Sequence, residues 1–239
     1  MSAPNERPFV YINMAMTVDG KITSANREYP RFASPRDRVH MDRLRADADA
    51  LMVAAGTVRA DNPAFHVRTE SIQKEREATG KPEAPHRILV SASADIPADS
   101  RFFDDSHGGK SILVTTEETA SADLERFMGR AEVWRLGNHT VDLPATLTRL
   151  RSIGVHRLLV EGGGELNWSL LELDLVDELH VTIVPALLGG SNAPTLLGGI
   201  GWPMKQQRRL HLLQLDNENG ELFCRYSIEA ESETETTTK

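Results

Sequence analysis

The sequence RLLVEGGGELNW at residues 157–168 decides the fold that we expect for this chain. Leu158, Leu159 and Val160 form a short, continuous apolar run, which is typical of a strand covered on both faces. Three glycines follow, and they let the backbone turn sharply while a ligand approaches closely. Over residues 165–173 the leucines recur at helical spacing. The stretch therefore predicts a strand, a glycine turn and a helix.

The glycine turn has two interpretations. A helix that begins beside such a turn offers free N–H groups and the positive end of its dipole to an anion, and a dinucleotide pyrophosphate would fit there. Alternatively, the glycines only permit an ordinary connection between strand and helix, because three consecutive glycines are a weak signal by themselves. The local sequence leaves both interpretations open.

The composition restricts the domain organisation and the kinds of partner that we expect. The chain has 239 residues, of which 40% are hydrophobic and 26% charged, so we predict a single domain over residues 1–230 and a disordered Ser/Thr/Glu-rich tail over 231–239. The net charge of −8 argues against a general nucleic-acid surface. No run has the length of a membrane-spanning helix and the N-terminus lacks the apolar region of a signal peptide, so we expect a cytoplasmic protein. The single cysteine, Cys224, is predicted to be buried and inert.

Strand and helix signals alternate through most of the chain. Strands are predicted over 8–16, 50–56, 87–91, 111–115 and 132–136, and helices over 34–46, 120–128 and 144–153. Such alternation predicts a largely parallel sheet with helices on both faces. Residues 69–85 are polar and show little apolar periodicity, so an exposed excursion is expected there.

The pattern changes after the glycine-turn helix. Residues 178–184 alternate as a strand does, and two further strands are predicted over 208–215 and 221–228. The connection between these last two, residues 216–220, ends in Asn-Gly, which is a hairpin signal. The predicted fold is therefore α/β, with a mixed, mostly parallel central sheet and a C-terminal antiparallel hairpin.

Five short motifs occur in a specific order along the chain. They are Asn13-x-Ala15-x-Thr17-x-Asp19-Gly20-Lys21, Ser34-Pro35 with Leu44-Arg45-Ala46, Gly56-Thr57-Val58-x-x-Asp61-Asn62-Pro63, Val160-Glu161-Gly162-Gly163-Gly164-x-Leu166-Asn167, and Asp177-Glu178 through Pro185 to Leu188-Gly189-Gly190. Each motif alone is weak, but together they resemble the reductase domain of bacterial riboflavin-biosynthesis deaminase/reductase proteins and their stand-alone archaeal and fungal relatives. The resemblance covers about residues 9–228 and implies a dihydrofolate-reductase-like fold.

The resemblance also implies an activity. It is the NADPH-dependent reduction of the ribosylamino chain of a pyrimidine 5′-phosphate to a ribitylamino chain. The substrate is either 2,5-diamino-6-ribosylamino-4(3H)-pyrimidinone 5′-phosphate or 5-amino-6-ribosylaminouracil 5′-phosphate. The sugar must open to an imine-like carbon before hydride arrives, so a group that helps protons move is required. Members of the family are commonly dimers, and the apolar C-terminal strands offer a surface for a homodimer.

Cofactor contacts are implied at positions that match the family motifs. These are Ala15, Thr57, Asp61, Gly162, Gly163, Gly164, Glu165, Leu166 and Asn167. Where the family has Asp-Ser after the strand at 87–90, this chain has Ser91-Ala92, and either Ser91, which we take as the candidate, or Ser93 could replace the expected hydroxyl. Without the resemblance, Thr57 would be assigned to helix capping and Asp61 to a turn.

Substrate contacts are implied at Arg45, Phe65, Arg68 and Glu161. Arginine suits a phosphate because its donors bind bidentately and its charge persists, although Arg45 could instead compensate a helix dipole. An unpaired carboxylate at the position of Glu161 would be costly, so Glu161 is predicted to accept hydrogen bonds from the sugar or the pyrimidine. The catalytic candidates are Asp61, Glu161 and Lys21, with Lys21 adding charge neutralisation at a phosphate.

Several alternatives follow from the same sequence. No zinc-deaminase signature is present, which favours a reductase without a fused deaminase, and such relatives often act before deamination. A second possibility keeps the fold and cofactor but takes dihydrofolate or another pterin as substrate. A third is a catalytically silent nucleotide-binding protein, which the Ser91-Ala92 departure supports. The histidines form no HxxxH or HExxH pair, so no metal site is predicted.

Overall fold

The computed structural model describes residues 6–28 and 34–229, and within them nine strands form one sheet. The strand bounds are Phe9–Thr17 (β1), Ala50–Ala54 (β2), His86–Val90 (β3), Ser111–Thr115 (β4), Glu132–Arg135 (β5), Arg157–Val160 (β6), Glu178–Val184 (β7), Leu210–Glu218 (β8) and Glu221–Ile228 (β9). Their order across the sheet is β5-β4-β3-β2-β6-β1-β7-β9-β8. Strands β1 to β7 run parallel, whereas β9 pairs antiparallel with both β7 and β8. The predicted fold class is confirmed.

Helices cover both faces of the parallel part of the sheet. Their bounds are Pro35–Asp47 (α1), Ala55–Asp61 (α2), Glu70–Ala78 (α3), Ser121–Glu125 (α4), Leu143–Ser152 (α5) and Gly164–Glu172 (α6). Helix α1 begins where the sequence predicts it, because the Ser34 hydroxyl accepts a hydrogen bond from the Asp37 N–H at 3.0 Å and a proline occupies the first helical position. Among the described residues, no helix is long and apolar enough to cross a membrane.

The central strand β6 shows why the sheet is buried on both faces. Its neighbouring residues Leu158 and Leu159 are both fully buried, but they belong to different apolar clusters. Leu158 packs in the cluster that contains α5 and α6, and Leu159 packs in the cluster that contains Val58 of α2. Each such side chain stabilises the fold by about 1.5–3 kcal/mol. The continuous apolar run therefore predicts this strand correctly.

Most of residues 69–85 are exposed or half-buried, as predicted, but the prediction missed a helix within them. Helix α3 occupies residues 70–78 and buries Ile72 and Arg76. The Arg76 guanidinium donates to the carbonyl oxygens of Ala46 at 2.8 Å and Ala48 at 2.5 Å, which are end carbonyls of α1. The prediction failed because the buried side of α3 is a single isoleucine beside a charged residue, which leaves no apolar stripe for a periodicity argument to detect.

The C-terminal hairpin is longer than predicted. Pairing continues beyond Leu215, with Glu218 opposite Glu221, so the turn contains only Asn219 and Gly220. Both turn residues have positive φ, as a two-residue hairpin turn requires. Every residue of the edge strand β8 is exposed, whereas Cys224 on β9 is buried, as predicted. The domain bounds 1–230 stay a prediction, and the predicted tail over 231–239 lies outside the described residues.

Candidate active site

A cleft of about 740 Å³ opens where parallel strands β1, β2 and β6 end. Its lining includes residues of β1, of α2 after β2, and of the glycine turn after β6. The carboxyl ends of parallel strands meet at one edge of a sheet, which is where ligands bind in open α/β folds. The volume lies within the range of about 300–1,000 Å³ that is usual for ligand pockets.

Most of the residues predicted for the site line this cleft. They are Ala15, Lys21, Arg45, Thr57, Asp61, Phe65, Arg68, Glu161, Gly163, Gly164 and Glu165. Four others do not line it, namely Ser91, Gly162, Leu166 and Asn167. Ser91 is buried and its N–H donates to the carbonyl of Val114, while Leu166 belongs to the apolar core. The structure thus brings four of the five motifs together at the cleft, since no residue of the motif from Asp177 to Gly190 lines it, and it leaves these four side chains outside.

One wall of the cleft is lined by Gly163, Gly164, Glu165, residues 191–195 and Gly198. Together with the adjoining Gly199, which bonds to Glu165, we call it the glycine wall. Helix α6 starts here, with Gly163 as an N-cap that has no side-chain hydrogen bond. A Cβ on Gly163 would point towards Thr57, 3.4 Å from its Oγ1. Because no N-cap side chain occupies the first N–H groups of α6, they are available to an anion in the cleft.

The glycine wall is held together by contacts between α6 and the loop that follows β7. The Gly199 N–H donates to both carboxylate oxygens of Glu165 at 3.2 Å, and the Asn167 side-chain amide donates to the Leu196 carbonyl at 3.0 Å. A Cβ on Gly164 would lie 2.9 Å from the Thr195 carbonyl oxygen. Glycine is therefore required at position 164 by the packing of this loop, and Asn167 acts on the loop from outside the cleft.

A second wall is formed by Asp37, Met41 and Arg45, and we call it the α1 wall. The three residues lie four apart, so they form one row along helix α1. The sequence prediction contained only Arg45. No apolar periodicity could have found the other two, since α1 has a low mean hydropathy and Asp37 resembles a common helix-start residue. The four-residue spacing back from Arg45 is the signal that could have found them.

Arg45 and Glu161 join the α1 wall to the end of β6. Arg45 Nε and Nη2 each donate to one carboxylate oxygen of Glu161 at 2.7 Å, and Nη1 donates to the His66 carbonyl at 3.0 Å. Their side chains are 3% and 10% exposed. The sequence argument did not foresee this protein partner, and the bidentate ion pair compensates the burial of Glu161. That Glu161 also accepts hydrogen bonds from the sugar or the pyrimidine stays a prediction.

Phe65 and Arg68 border the same end of the cleft. Phe65 is buried and packs edge-on against Phe102 with ring centroids 5.7 Å apart. The carboxylate of Asp42, on α1, accepts hydrogen bonds from the backbone N–H groups of Arg68 at 3.2 Å and Thr69 at 2.8 Å. The loop that carries Arg68 is thereby fixed to α1, while the Arg68 residue itself is exposed.

Lys21 is positioned by the turn after β1. The Thr17 hydroxyl donates to Asp19 at 2.6 Å, and the Asp19 carboxylate accepts the Gly189 N–H at 2.6 Å from the loop after β7. These hydrogen bonds lower the pKa of Asp19 to about 2, the Thr17 hydroxyl having the largest effect. Lys21 then lies beside the glycine wall, with its ammonium 3.4 Å from the Ala193 carbonyl oxygen.

Two further polar residues, Asp61 and Asn13, line the cleft. Asp61 ends α2, and burial raises the pKa of its carboxyl. Asn13 lines the cleft from β1, and its side-chain oxygen is buried without a hydrogen-bond partner among the described residues. A buried amide without a partner is costly, so Asn13 is suited to a polar ligand. Within residues 6–28 and 34–229, no group of three or more His, Cys, Asp or Glu side chains could hold a metal ion.

Comparisons with known proteins agree with this geometry. Residues 8–219 match the family model described as the RibD C-terminal domain. The chain is 35% identical over 193 residues to the 2,5-diamino-6-ribosylamino-4(3H)-pyrimidinone 5′-phosphate reductase of Archaeoglobus fulgidus, covering 81% of this chain and 87% of that one. It is 34% identical over 223 residues to the protein of the same name from Methanothermobacter thermautotrophicus, covering 93% and 99%.

A solved structure shows the same fold. It is that of a pyrimidine reductase-like protein from Corynebacterium diphtheriae, with a TM-score of 0.80 and 22% identity, covering 95% of this chain and 94% of that one. The match to the family model spans both walls of the cleft and the strands that position them. The chain therefore belongs to the RibD C-terminal domain family of riboflavin-biosynthesis reductases.

Proposed function

We propose that this protein reduces 2,5-diamino-6-ribosylamino-4(3H)-pyrimidinone 5′-phosphate to the ribitylamino compound, with NADPH as the hydride donor. The observation that carries the proposal is the convergence of four of the five family motifs on one strand-end cleft. Relatives at 34–35% identity over most of both chains have this substrate in their names. Those names favour the diaminopyrimidinone over the deaminated aminouracil as the substrate.

The glycine wall and α2 fit a nicotinamide dinucleotide. The uncapped start of α6 suits the pyrophosphate, and Ala15, Thr57 and Asp61 line the adjoining part of the cleft. When bound, the cofactor would supply hydride to the substrate. Arg59 also lines the cleft from α2, which favours NADPH over NADH because the extra 2′-phosphate requires positive charge. A lower dissociation constant for NADPH than for NADH, measured by fluorescence titration, is the expected result.

The α1 wall, Phe65 and Arg68 fit the substrate. Arg68 is exposed at the cleft and suits the 5′-phosphate, with Lys21 as a second source of positive charge. Arg45 has donors engaged by Glu161 and His66, so its replacement would disturb folding as well as binding. Arg68→Ala is therefore the sharper test of the phosphate site: the substrate KM should rise at least tenfold, while the dissociation constant of NADPH stays unchanged.

The pterin alternative is not favoured, because the relatives act on a phosphorylated pyrimidine by name. The catalytically silent alternative predicts that NADPH binds and is never oxidised. One experiment separates all of these: NADPH oxidation measured at 340 nm with the diaminopyrimidinone phosphate, the aminouracil phosphate and dihydrofolate in parallel. We expect turnover of the diaminopyrimidinone compound. Turnover of dihydrofolate alone, or NADPH binding without turnover of any substrate, would contradict the proposal.

We further propose that the protein acts in the cytoplasm as a homodimer that uses strand β8. Four leucines on this edge strand, at positions 210, 212, 213 and 215, are 41–52% exposed. An exposed apolar edge strand is an aggregation hazard unless a partner covers it. Sedimentation equilibrium should give twice the chain mass, and Leu212→Lys with Leu215→Lys should give a monomer.

A further inference from the structure

Asp37, on the α1 wall, is a buried carboxyl group that faces the cleft. Only 7% of the residue is exposed, although it lines the cleft with Arg45 two turns further along the helix. The groups that act on its carboxyl are the Thr182 hydroxyl, the Glu221 carboxylate and the Arg38 guanidinium. An ionised carboxylate in such a place is costly unless a ligand or a proton compensates it.

Burial and one neighbouring carboxylate favour the protonated form of Asp37. Burial has the largest effect on its pKa, which it raises, and the carboxylate of Glu221 on β9 raises it further. The Thr182 hydroxyl on β7 and the Arg38 charge on the same helix act in the opposite direction, with smaller effects than burial. Glu221 is itself only 8% exposed and accepts the Ser34 hydroxyl at 2.5 Å. The negative charge of the buried Glu221 carboxylate thus makes ionisation of the buried Asp37 carboxyl less favourable.

We propose that Asp37 is the general acid that protonates the ring oxygen of the ribosylamino group when the sugar ring opens. This inference rests on the proposed function, and it assigns the proton donor that the reaction requires. It makes Asp37 a catalytic residue that contacts the sugar, between the phosphate end of the cleft at Arg68 and the glycine wall.

Ring opening and reduction balance in protons and electrons with Asp37, the hydride donor and water. The bond between C1′ and the ring oxygen breaks, and its electron pair goes to the oxygen, which takes the proton of the Asp37 carboxyl. The lone pair of the exocyclic nitrogen forms a C1′=N double bond. Hydride then adds to C1′, and the π electrons return to nitrogen. Asp37 recovers a proton from water, so the substrate has gained one hydride and one proton.

The other acidic groups of the cleft are less suited to this step. Both carboxylate oxygens of Glu161 accept hydrogen bonds from Arg45 at 2.7 Å, so this carboxylate is already engaged in a bidentate ion pair. Glu165 accepts the Gly199 N–H with both oxygens. Asp61 lies at the end of α2, on the side that we assign to the cofactor. Asp37 combines burial, access to the cleft and a hydroxyl that can orient its carboxyl.

The test is the single-turnover rate of NADPH oxidation as a function of pH for wild type, Asp37→Asn and Glu221→Gln. Asp37→Asn should lower the rate at least 100-fold, change the substrate KM little, and remove the decline in rate that the wild type shows as pH rises. Glu221→Gln removes a negative neighbour, so the same decline should move to lower pH. The control is Asp177→Asn, which removes a carboxylate at the opposite end of β1, hydrogen-bonded by Arg7 and Val10, and should leave the rate unchanged.

A second measurement does not depend on turnover. The side-chain carboxyl ¹³C resonances of the ligand-free protein should include one that is absent in Asp37→Asn and that titrates above the usual range for aspartate. If that resonance titrates normally, or if Asp37→Asn keeps the wild-type rate or pH profile, the assignment is overturned. If Asp37→Asn does not fold, the direction of the shift in Glu221→Gln decides. Absence of turnover in the wild type would instead overturn the proposed function, and the acid role with it.

Discussion

The two walls of the cleft are built by different physical means. The α1 wall is held by charged side chains, with Arg45 bound to Glu161 and with Arg76 donating to the carbonyls at the end of the helix. The glycine wall is held by close backbone approach, since Gly164 lies against the Thr195 carbonyl and Gly199 against Trp168. The α1 wall is therefore stabilised by buried pairs of charged groups, whereas the glycine wall is stabilised by backbone contacts that side chains at the glycine positions would prevent.

Charge pairing in the α1 wall should produce the largest effect. Arg45→Met leaves the Glu161 carboxylate buried without its cation, and breaking a buried pair in this way costs about 3–5 kcal/mol of the free energy of unfolding. Urea unfolding measures this loss. The matched variant Arg45→Met with Glu161→Met removes both charges and should recover most of the stability. A single variant that loses less than about 1 kcal/mol would show that the pair does not hold the wall.

Close packing in the glycine wall should produce the next largest effect. A Cβ on Gly199 would overlap the indole ring of Trp168, and the residue has φ of +70°. Gly199→Ala should therefore cost about 2–4 kcal/mol, through overpacking and the left-handed backbone together.

Gly201 provides the matched control for this substitution. It has φ of +76° and no atom within 4 Å of a Cβ, so Gly201→Ala should cost only the backbone share, about 1–2 kcal/mol. The difference between the two variants in thermal unfolding isolates the contact with Trp168. Equal losses would mean that packing against the indole does not matter.

The same comparison explains what the sequence could predict. The glycine wall follows from local signals, because the apolar run at 158–160 and the glycines that follow dictate a strand and a sharp turn. The parallel sheet and the hairpin follow from alternation for the same reason. Of the α1 wall, only Arg45 was found, through its match to a family motif. The roles of Asp37 and Met41 depend on which side of α1 faces the cleft, and that is set by tertiary packing.

The sequence prediction also missed contacts between residues that lie far apart in the chain. The ion pair between Arg45 and Glu161 joins residues 116 positions apart, and no local pattern indicates it. Helix α3 was missed for a related reason: its Arg76 is buried because it binds the carbonyl groups at the end of α1. In a sequence, a charged residue whose partner is distant cannot be told from a solvent-exposed one. The sequence prediction therefore missed both the Arg45–Glu161 pair and helix α3, which are stabilised by buried charge.

The smallest expected effect is a loss of stability in acid that arises from His40 on α1. The His40 ring packs against His180 and Phe223 of the sheet. Burial, with the charges of His180 and Arg36, lowers the pKa of His40 to about 4 from its usual value near 6.5. The unfolded chain therefore binds the proton first, so stability is full above about pH 6.5 and falls as pH decreases towards 4. Because the imidazole is partly exposed, we expect a loss on the order of 1–2 kcal/mol. Urea unfolding between pH 7.5 and 4.5 measures it.

His40→Gln should flatten this pH dependence, whereas His139→Gln, at a side chain that is 83% exposed, should not. A residual slope is expected from His180, whose pKa burial also lowers. The glycine wall contains no histidine, so the stability difference between Gly199→Ala and Gly201→Ala should stay constant over the same pH range. A difference between the two variants that changed with pH as much as the wild-type stability does would show that acid weakens both walls. That result would contradict the distinction between a charge-paired wall and a backbone-packed wall.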